Sequence, residues 1–184
     1  MELNQLFFAT DRAHQGARVG DLPAGYLAEF WAPRGFAVRP AGLGFRPFAI
    51  WSVVFHHGRI FRNRGYQLVL IRKEGELVHR SCIFPGYFRF PFMARQDLQV
   101  GDTWTAPSER GRGLARWALA TAIERLATDG KNIWYICDDD NAASQGVARK
   151  AGMKLVGRGS RTRRFGVNLL GHFQIVDCNP VQNL

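Results

Sequence analysis

The sequence predicts a layered α/β domain, and three observations carry that expectation. A short strand, a glycine-rich turn and an amphipathic helix follow one another over residues 98–126. A hairpin pattern precedes them over 66–84, and a further strand, helix and strand follow over 132–158. Strands that alternate with helices on both sides of a central segment bury their apolar faces best as a sheet covered by helices. With 184 residues and 46% hydrophobic content, the chain can bury one good core, so a single domain over 1–184 is expected.

Residues 1–47 read as an irregular N-terminal arm. Asp21-Leu22-Pro23 opens a short helix with Tyr26, Leu27 and Phe30 on one side. Pro33, Gly35, Pro40, Gly42, Gly44 and Pro47 then punctuate the chain too often for a long element. The arm reads as an ordered wrap around the core, with a substrate-binding arm as the alternative. In 48–61, FAIWSVVFHHGRIF, Phe48, Trp51 and Phe55 fit a helix, while Trp51, Val53 and Phe55 fit a strand. His56-His57 read as a partly exposed element end in preference to a catalytic or metal-binding pair.

The hairpin is clearer. Residues 66–71, YQLVLI, form a strand, Lys73-Glu74-Gly75-Glu76 a turn, and 77–84, LVHRSCIF, the return. His79 lies mid-strand and reads first as a satisfied structural histidine. The loop Pro85-Gly86-Tyr87-Phe88-Arg89-Phe90-Pro91-Phe92-Met93 is rigid and aromatic. It suits either a hydrophobic plug or a binding loop whose prolines lower the entropy lost on ordering.

Residues 98–105, LQVGDTWT, read as a strand that Ala106-Pro107 ends, because proline has no amide to give a ladder. Leu114, Trp117, Ala118, Ala122 and Leu126 keep a helical spacing. Asn132 to Cys137, almost uninterrupted apolar residues, suit a strand buried on both faces. Asp138-Asp139-Asp140 lack the ligand spacing of a calcium loop; Asp140 or Asn141 instead caps a helix over 142–151 that Gly152 ends. A strand over 154–158, a basic loop over 159–164 containing Arg161, Arg163 and Arg164, and a final strand or pair over 165–176 complete the chain.

Net charge is +10, which favours anionic partners such as coenzyme phosphates, a phosphorylated substrate, nucleic acid or an acidic membrane surface. The arginines are spread from Arg12 to Arg164 and do not concentrate on one motif, which argues against nucleic acid. No run of eighteen apolar residues exists, so no membrane-spanning helix is expected, although peripheral contact stays open. The first sixteen residues lack the basic region of a secretory signal. Cys82, Cys137 and Cys178, odd in number and far apart, make neither a disulfide framework nor a metal cluster. A cytoplasmic location and no metal are the expectation, with a homodimer left open.

The stretch Arg110-Gly111-Arg112-Gly113-Leu114-Ala115 carries the chemistry. Glycines let a backbone approach an anion, and the unpaired amides of a helix's first turn point at it from the positive end of the dipole. An ordinary basic turn capped by Ser108 is the alternative. The stretch fits R/Q-x-x-G-x-G/A, and Asn141-Ala142-Ala143-Ser144 with Lys150-Ala151-Gly152-Met153 fits N-x-x-S/A…K-x-G-F. The ordered pair over 98–157 resembles the acetyl-CoA-binding core of the GCN5-related N-acetyltransferases (GNAT).

That resemblance implies a GNAT-like layered fold with a mixed central sheet of about six or seven strands flanked by helices, and a helix within 48–61. It implies that Arg110, Gly111, Arg112, Gly113, Leu114 and Ala115 grip the pyrophosphate, that Trp104 and Thr105 pair with the pantetheine arm, and that Asn141 and Ser144 line its other side. The cosubstrate is then acetyl-CoA, and the acceptor a primary amine: an amino sugar or glycan precursor that is anionic or linked to a nucleotide or lipid. A protein or peptide amine, or a non-enzymatic coenzyme- or nucleic-acid-binding module, are the alternatives. Val78-His79 and Ser81, followed by Phe90-Pro91-Phe92-Met93, also resemble a subgroup associated with surface-polysaccharide modification. One position departs from the family pattern: a tyrosine commonly found seven residues after the asparagine is here Ala148. Asp102 is the first candidate for the base, with His79, Tyr87 and Glu109 behind it.

Overall fold

The computed structural model describes residues 4–10, 20–34, 37, 39–40, 43, 48–54, 65–127, 130–162 and 171–178. Its strands are β1 (Gln5–Ala9), β2 (Tyr26–Trp31), β3 (Gln67–Lys73), β4 (Glu76–Pro85), β5 (Leu98–Thr105), β6 (Ile133–Asp138), β7 (Lys154–Arg161) and β8 (Phe173–Cys178). Its helices are α1 (Phe48–Ser52), α2 (Leu114–Leu126) and α3 (Ala142–Lys150). The strands make one eight-stranded sheet in the order β2-β3-β4-β5-β6-β1-β7-β8. Only the β5–β6 contact is parallel, so the sheet is mixed as expected, with one or two strands more.

Both faces of the sheet centre are buried, which explains the continuous apolar runs. Side chains alternate along a strand. In β3, Val69 and Ile71 join one core with α2 and α3, while Leu68 and Leu70 join a second with Trp51. In β1, Leu6 and Phe8 face the helices, and Phe7 meets Phe92 and Phe173 on the other side. In β6, Tyr135 and Cys137 face the helices, and Trp134 packs against Phe92. The aromatic loop after β4 thus crosses the second face as a cover, with Phe90 stacked on Phe173.

Helix α2 presents Leu114, Ala118, Leu119, Ala122 and Ile123 to the sheet. Asn141 caps α3 by accepting the Ser144 amide at 3.0 Å. The chain leaves α3 through Gly152 at φ 83°, as the sequence predicts.

The N-terminal arm is the main correction. Among the described residues of 1–47 are two strands, and β1 lies inside the sheet between β6 and β7. Where a helix is expected near Tyr26, β2 runs along the edge, with Leu27 76% exposed and Tyr26 and Phe30 packed on the helical-side core. Tyr26 and Phe30 share one face of β2 and Leu27 lies on the other, yet the apolar Tyr26, Leu27, Phe30 spacing imitates a helix. A second correction concerns 159–161, expected as a basic loop: β7 runs on to Arg161. Gly159 permits this, because a Cβ there would lie 1.8 Å from the Gln174 carbonyl oxygen of β8. His56-His57, Arg163 and Arg164 lie outside the described residues.

Candidate active site

Strands β5 and β6 pair only at Leu98↔Ile133, Gln99↔Trp134 and Val100↔Tyr135. Beyond that point β5 continues on β4 and β6 on β1, so the two diverge into a fork. A break of register between Arg80 and Cys82, with Asp102 at φ 45°, bends β5 away at the mouth. The fork opens a cleft of about 210 Å³ lined by Gly101, Asp102 and Thr103 of β5, by residues 135–138 of β6, and by Gln5, Asn141 and Ser144.

The glycine-rich turn stands at the end of β5. A 3-10 turn, Pro107–Glu109, holds Ser108, so the cap of α2 is Gly113 and not Ser108. Gly111 and Gly113 have φ 80° and 79°, a region where a side chain is strained. No side chain caps the first turn of α2, which leaves its amides open to an anion. Arg110, Gly111, Arg112 and Gly113 are exposed around that turn, Ala115 is half-buried, and Leu114 anchors in the core. Arg110 Nε donates to the Thr105 carbonyl at 3.3 Å.

Glu109, a minor candidate in the sequence, proves to be the buried brace of this turn. It accepts from Tyr26 of β2, lies 2.9 Å from Lys73 Nζ and 3.0 Å from Arg112 Nε. The Tyr26 hydrogen bond, then the Lys73 bond, hold its carboxyl below the usual carboxylate range. A group so engaged is a poor base.

Asp102 faces the cleft, but it is tied: Arg80 Nη2 lies 3.2 Å from one carboxylate oxygen, and Cys82 Sγ donates at 3.6 Å. Burial pushes the Cys82 thiol well up, which keeps it protonated and rules it out as a thiolate. Trp104 is 37% exposed beside Arg80, whose guanidinium lies 5.8 Å from the ring centroid. His79 is wholly buried between Thr105 Oγ1 at 2.8 Å and Ser81 Oγ at 3.0 Å. Burial, with Arg80 adding, lowers its pKa to about 4, so it is neutral at pH 7. Tyr87 is half-buried in the aromatic loop against Phe88, Phe90 and Arg89, and does not line the cleft.

The structure therefore brings Asp102, Asn141 and Ser144 together in the cleft, with Trp104, Thr105 and the turn residues at its mouth; His79 sits behind it and Tyr87 apart. Sequence reasoning missed Thr103 and Tyr135. Tyr135 lines the cleft together with Thr103 and Ser144, and burial raises the pKa of its phenol. Its only signal was a lone polar atom inside an apolar strand, which nothing local distinguishes from a core tyrosine. Ala148 is fully buried, so α3 offers no hydroxyl at that position. Among the described residues, no group of three or more metal-ligating side chains gathers.

A family model for the acetyltransferase (GNAT) family matches residues 27–153. The chain belongs to that family. No curated protein matches it. Among solved structures, a GNAT-family acetyltransferase from Colwellia psychrerythraea aligns at a TM-score of 0.56 and 16% identity, over 85% of this chain and 54% of that one. A GCN5-related N-acetyltransferase from Sphaerobacter thermophilus aligns at 0.53 and 15%, over 83% and 48%. At such identities the likeness shows the fold, and this GNAT chain spans about half the length of those two proteins.

Proposed function

We propose that this GNAT domain is an acetyl-CoA-dependent N-acetyltransferase that acts on a primary amine of a small molecule by direct attack within a ternary complex. The observation that carries this is the fork with an uncapped helix N-terminus at its mouth. The residues present fit the coenzyme: the α2 amides with Arg110 and Arg112 suit a pyrophosphate. Past Val100, the edge of β5 that faces β6 has no ladder partner there, which suits the amides of a pantetheine arm. When bound, acetyl-CoA supplies an acetyl group activated as a thioester.

The chain's own residues then have separable tasks. Trp104 and Thr105 pair with the arm on one side, and Asn141 and Ser144 line the other. Asp102, held by Arg80, draws a cationic amine to the cleft and takes the first proton from it, leaving the amine neutral. His79 is closed off from the cleft, and Tyr87 belongs with the acceptor side. There Phe88 is 57% exposed, and Arg89 and Arg161 both lie 5.6 Å from the Phe173 ring. The exposed Phe88 ring and the two guanidiniums at Phe173 supply the stacking face and the positive charge that suit an amino sugar or glycan precursor carrying a negative charge.

The test is isothermal titration with acetyl-CoA of the wild type and of an Arg110→Ala, Gly113→Asp double variant. Micromolar binding that the variant loses is the expected result; an amine panel followed by thiol release then identifies the acceptor. A folded wild type that does not bind acetyl-CoA would overturn the proposal.

A further inference from the structure

Among the described residues only two aromatic side chains stand exposed: Phe88 in the loop after β4, and Trp104 on β5. A lone exposed ring needs no explanation by itself. Trp104 differs in what shares its face. Side chains that pair across strands lie on one side of the sheet. Trp104 stands opposite Arg80, and Arg80 opposite Leu70, which belongs to the core without α2 and α3. Its neighbours Thr103 and Thr105 point the other way, to Ser81 and His79, whose partners Val69 and Ile71 join the helical-side core. Asp102 sides with Trp104, since its carboxylate meets Arg80 and Cys82, a member of the second core.

Two routes to the fork separate on that basis. The glycine-rich turn feeds α2 on the helical side. The indole and Asp102 face the other side, from which an acceptor comes to the fork without crossing the coenzyme. Arg80 joins them. Its Nη2 lies 3.2 Å from an Asp102 carboxylate oxygen and its guanidinium carbon 5.8 Å from the Trp104 ring centroid, so carboxylate and ring stand within about 10 Å of each other. With that guanidinium already against the indole, a second cation there meets like charge, and a positive amine goes to Asp102 instead. What the indole still offers is an exposed apolar face, which suits the C–H face of a saturated ring.

We propose that the Trp104 side chain is the platform for the acceptor: the ring of a cyclic amine, an amino sugar, lies on the indole while its amine reaches Asp102. The proposal rests on the acetyl-transfer reading. Trp104 then has two separate duties, its main chain along the pantetheine arm and its side chain under the acceptor. The gap to Asp102 is one that a stacked sugar ring and its amine bridge together. A straight-chain amine meets Asp102 alone and gains nothing from the indole. The ring thus selects among amines that the carboxylate attracts equally.

The test follows the Trp104 indole N–H signal by 15N NMR, assigned with Trp104→Phe or Trp104→Tyr, in wild-type protein saturated with coenzyme A. Titration with D-glucosamine should move that signal to a plateau. Titration with n-butylamine, which has the same charge and no ring, should leave it in place. In turnover, Trp104→Leu should raise KM for glucosamine about tenfold at an unchanged KM for acetyl-CoA, and Trp104→Tyr should restore most of the loss. The signal is read on the wild type, so the test stands even where Trp104→Leu does not fold. Coenzyme A bound with no glucosamine shift, or equal shifts from both amines, would overturn the platform alone. So would a Trp104→Leu enzyme whose KM rises for acetyl-CoA and not for the amine. Failure of the folded wild type to bind coenzyme A would instead fell the acetyl-transfer reading and the platform with it.

Discussion

The segment from β5 to β7 and the first two strands lie in one sheet, yet contacts of opposite range hold them there. From Leu98 to Arg161 the chain builds by neighbours: the turn feeds α2 with a Trp117 amide bond to Gly113 at 2.9 Å, and Asn141 caps its own helix. β1 has no such support. Its partners opposite Gln5 are Asp138 and Gly159, so both of its ladders close long loops of chain. Loop closure of that length costs entropy that local elements do not meet, and burial must offset it. The lesson is that the half that carries the glycine-rich turn is specified by local pattern, and the sheet that holds it is completed by distant burial.

Removing that burial tests the comparison most severely. Phe8→Ala leaves a cavity under a wholly buried ring at the sheet centre and should cost about 3–5 kcal/mol of unfolding free energy, read from denaturant midpoints. A cost below about 1 kcal/mol would mean that the sheet does not depend on β1.

The next effect comes from β4. His79 has a folded pKa of about 4 against 6.5 when unfolded. A depressed value means that the unfolded chain binds the extra proton first. Stability is therefore complete above pH 6.5 and falls as pH drops from there towards 4. The loss attributable to this ring is at most about 3.4 kcal/mol, the full gap between the folded and unfolded values. His79→Gln should flatten the stability profile over that window, and an unchanged slope would assign the loss to other groups.

These two residues also show where legibility ends. The turn, α2, the α3 cap and the hairpin were readable because each rests on spacing within a few residues: Gly111 and Gly113 for the turn, Asn141 and Ser144 for the cap, Lys73 to Glu76 for the hairpin. β1 was not, because five residues of apolar chain carry no period that separates a central strand from a loop. Within the site, Asp102 was placed in the cleft by its neighbours in sequence. Its pairing with Arg80 depends on a register that shifts opposite it, and the contacts of His79 and Ser81 with Thr105 and Thr103 depend on two strands at once. Side chains that meet only across strands leave no local pattern to read.

β2 meets the glycine-rich turn at a buried carboxylate. Tyr26 of the N-terminal arm donates to Glu109, which also holds Lys73 and Arg112 at the turn. Glu109→Gln weakens both ion pairs, so Arg112 loses its anchor and β2 its link to the turn. The expected result is a KM for acetyl-CoA raised about threefold to tenfold with kcat little changed, because positioning and not proton transfer is lost. Because the folded carboxyl is depressed, its support holds above the ordinary carboxylate range and fades only as pH falls through the folded value. A kcat that collapses while KM stays would instead make Glu109 a participant in the chemistry.

The smallest effect belongs to the outer edge of the same arm. Leu27 stands 76% exposed on β2, the last strand of the sheet, where Tyr26 and Phe30 on the other face make the packing contacts. Leu27→Thr keeps strand propensity through its branched Cβ and removes little buried area, so stability should move by no more than about 0.5 kcal/mol. Measured beside Phe8→Ala, it separates two ways of being a strand in this arm: β1 is held by both faces, β2 by one face and the Glu109 brace. A loss of 2 kcal/mol or more would show that something covers this edge, since an apolar side chain already in water has little to lose.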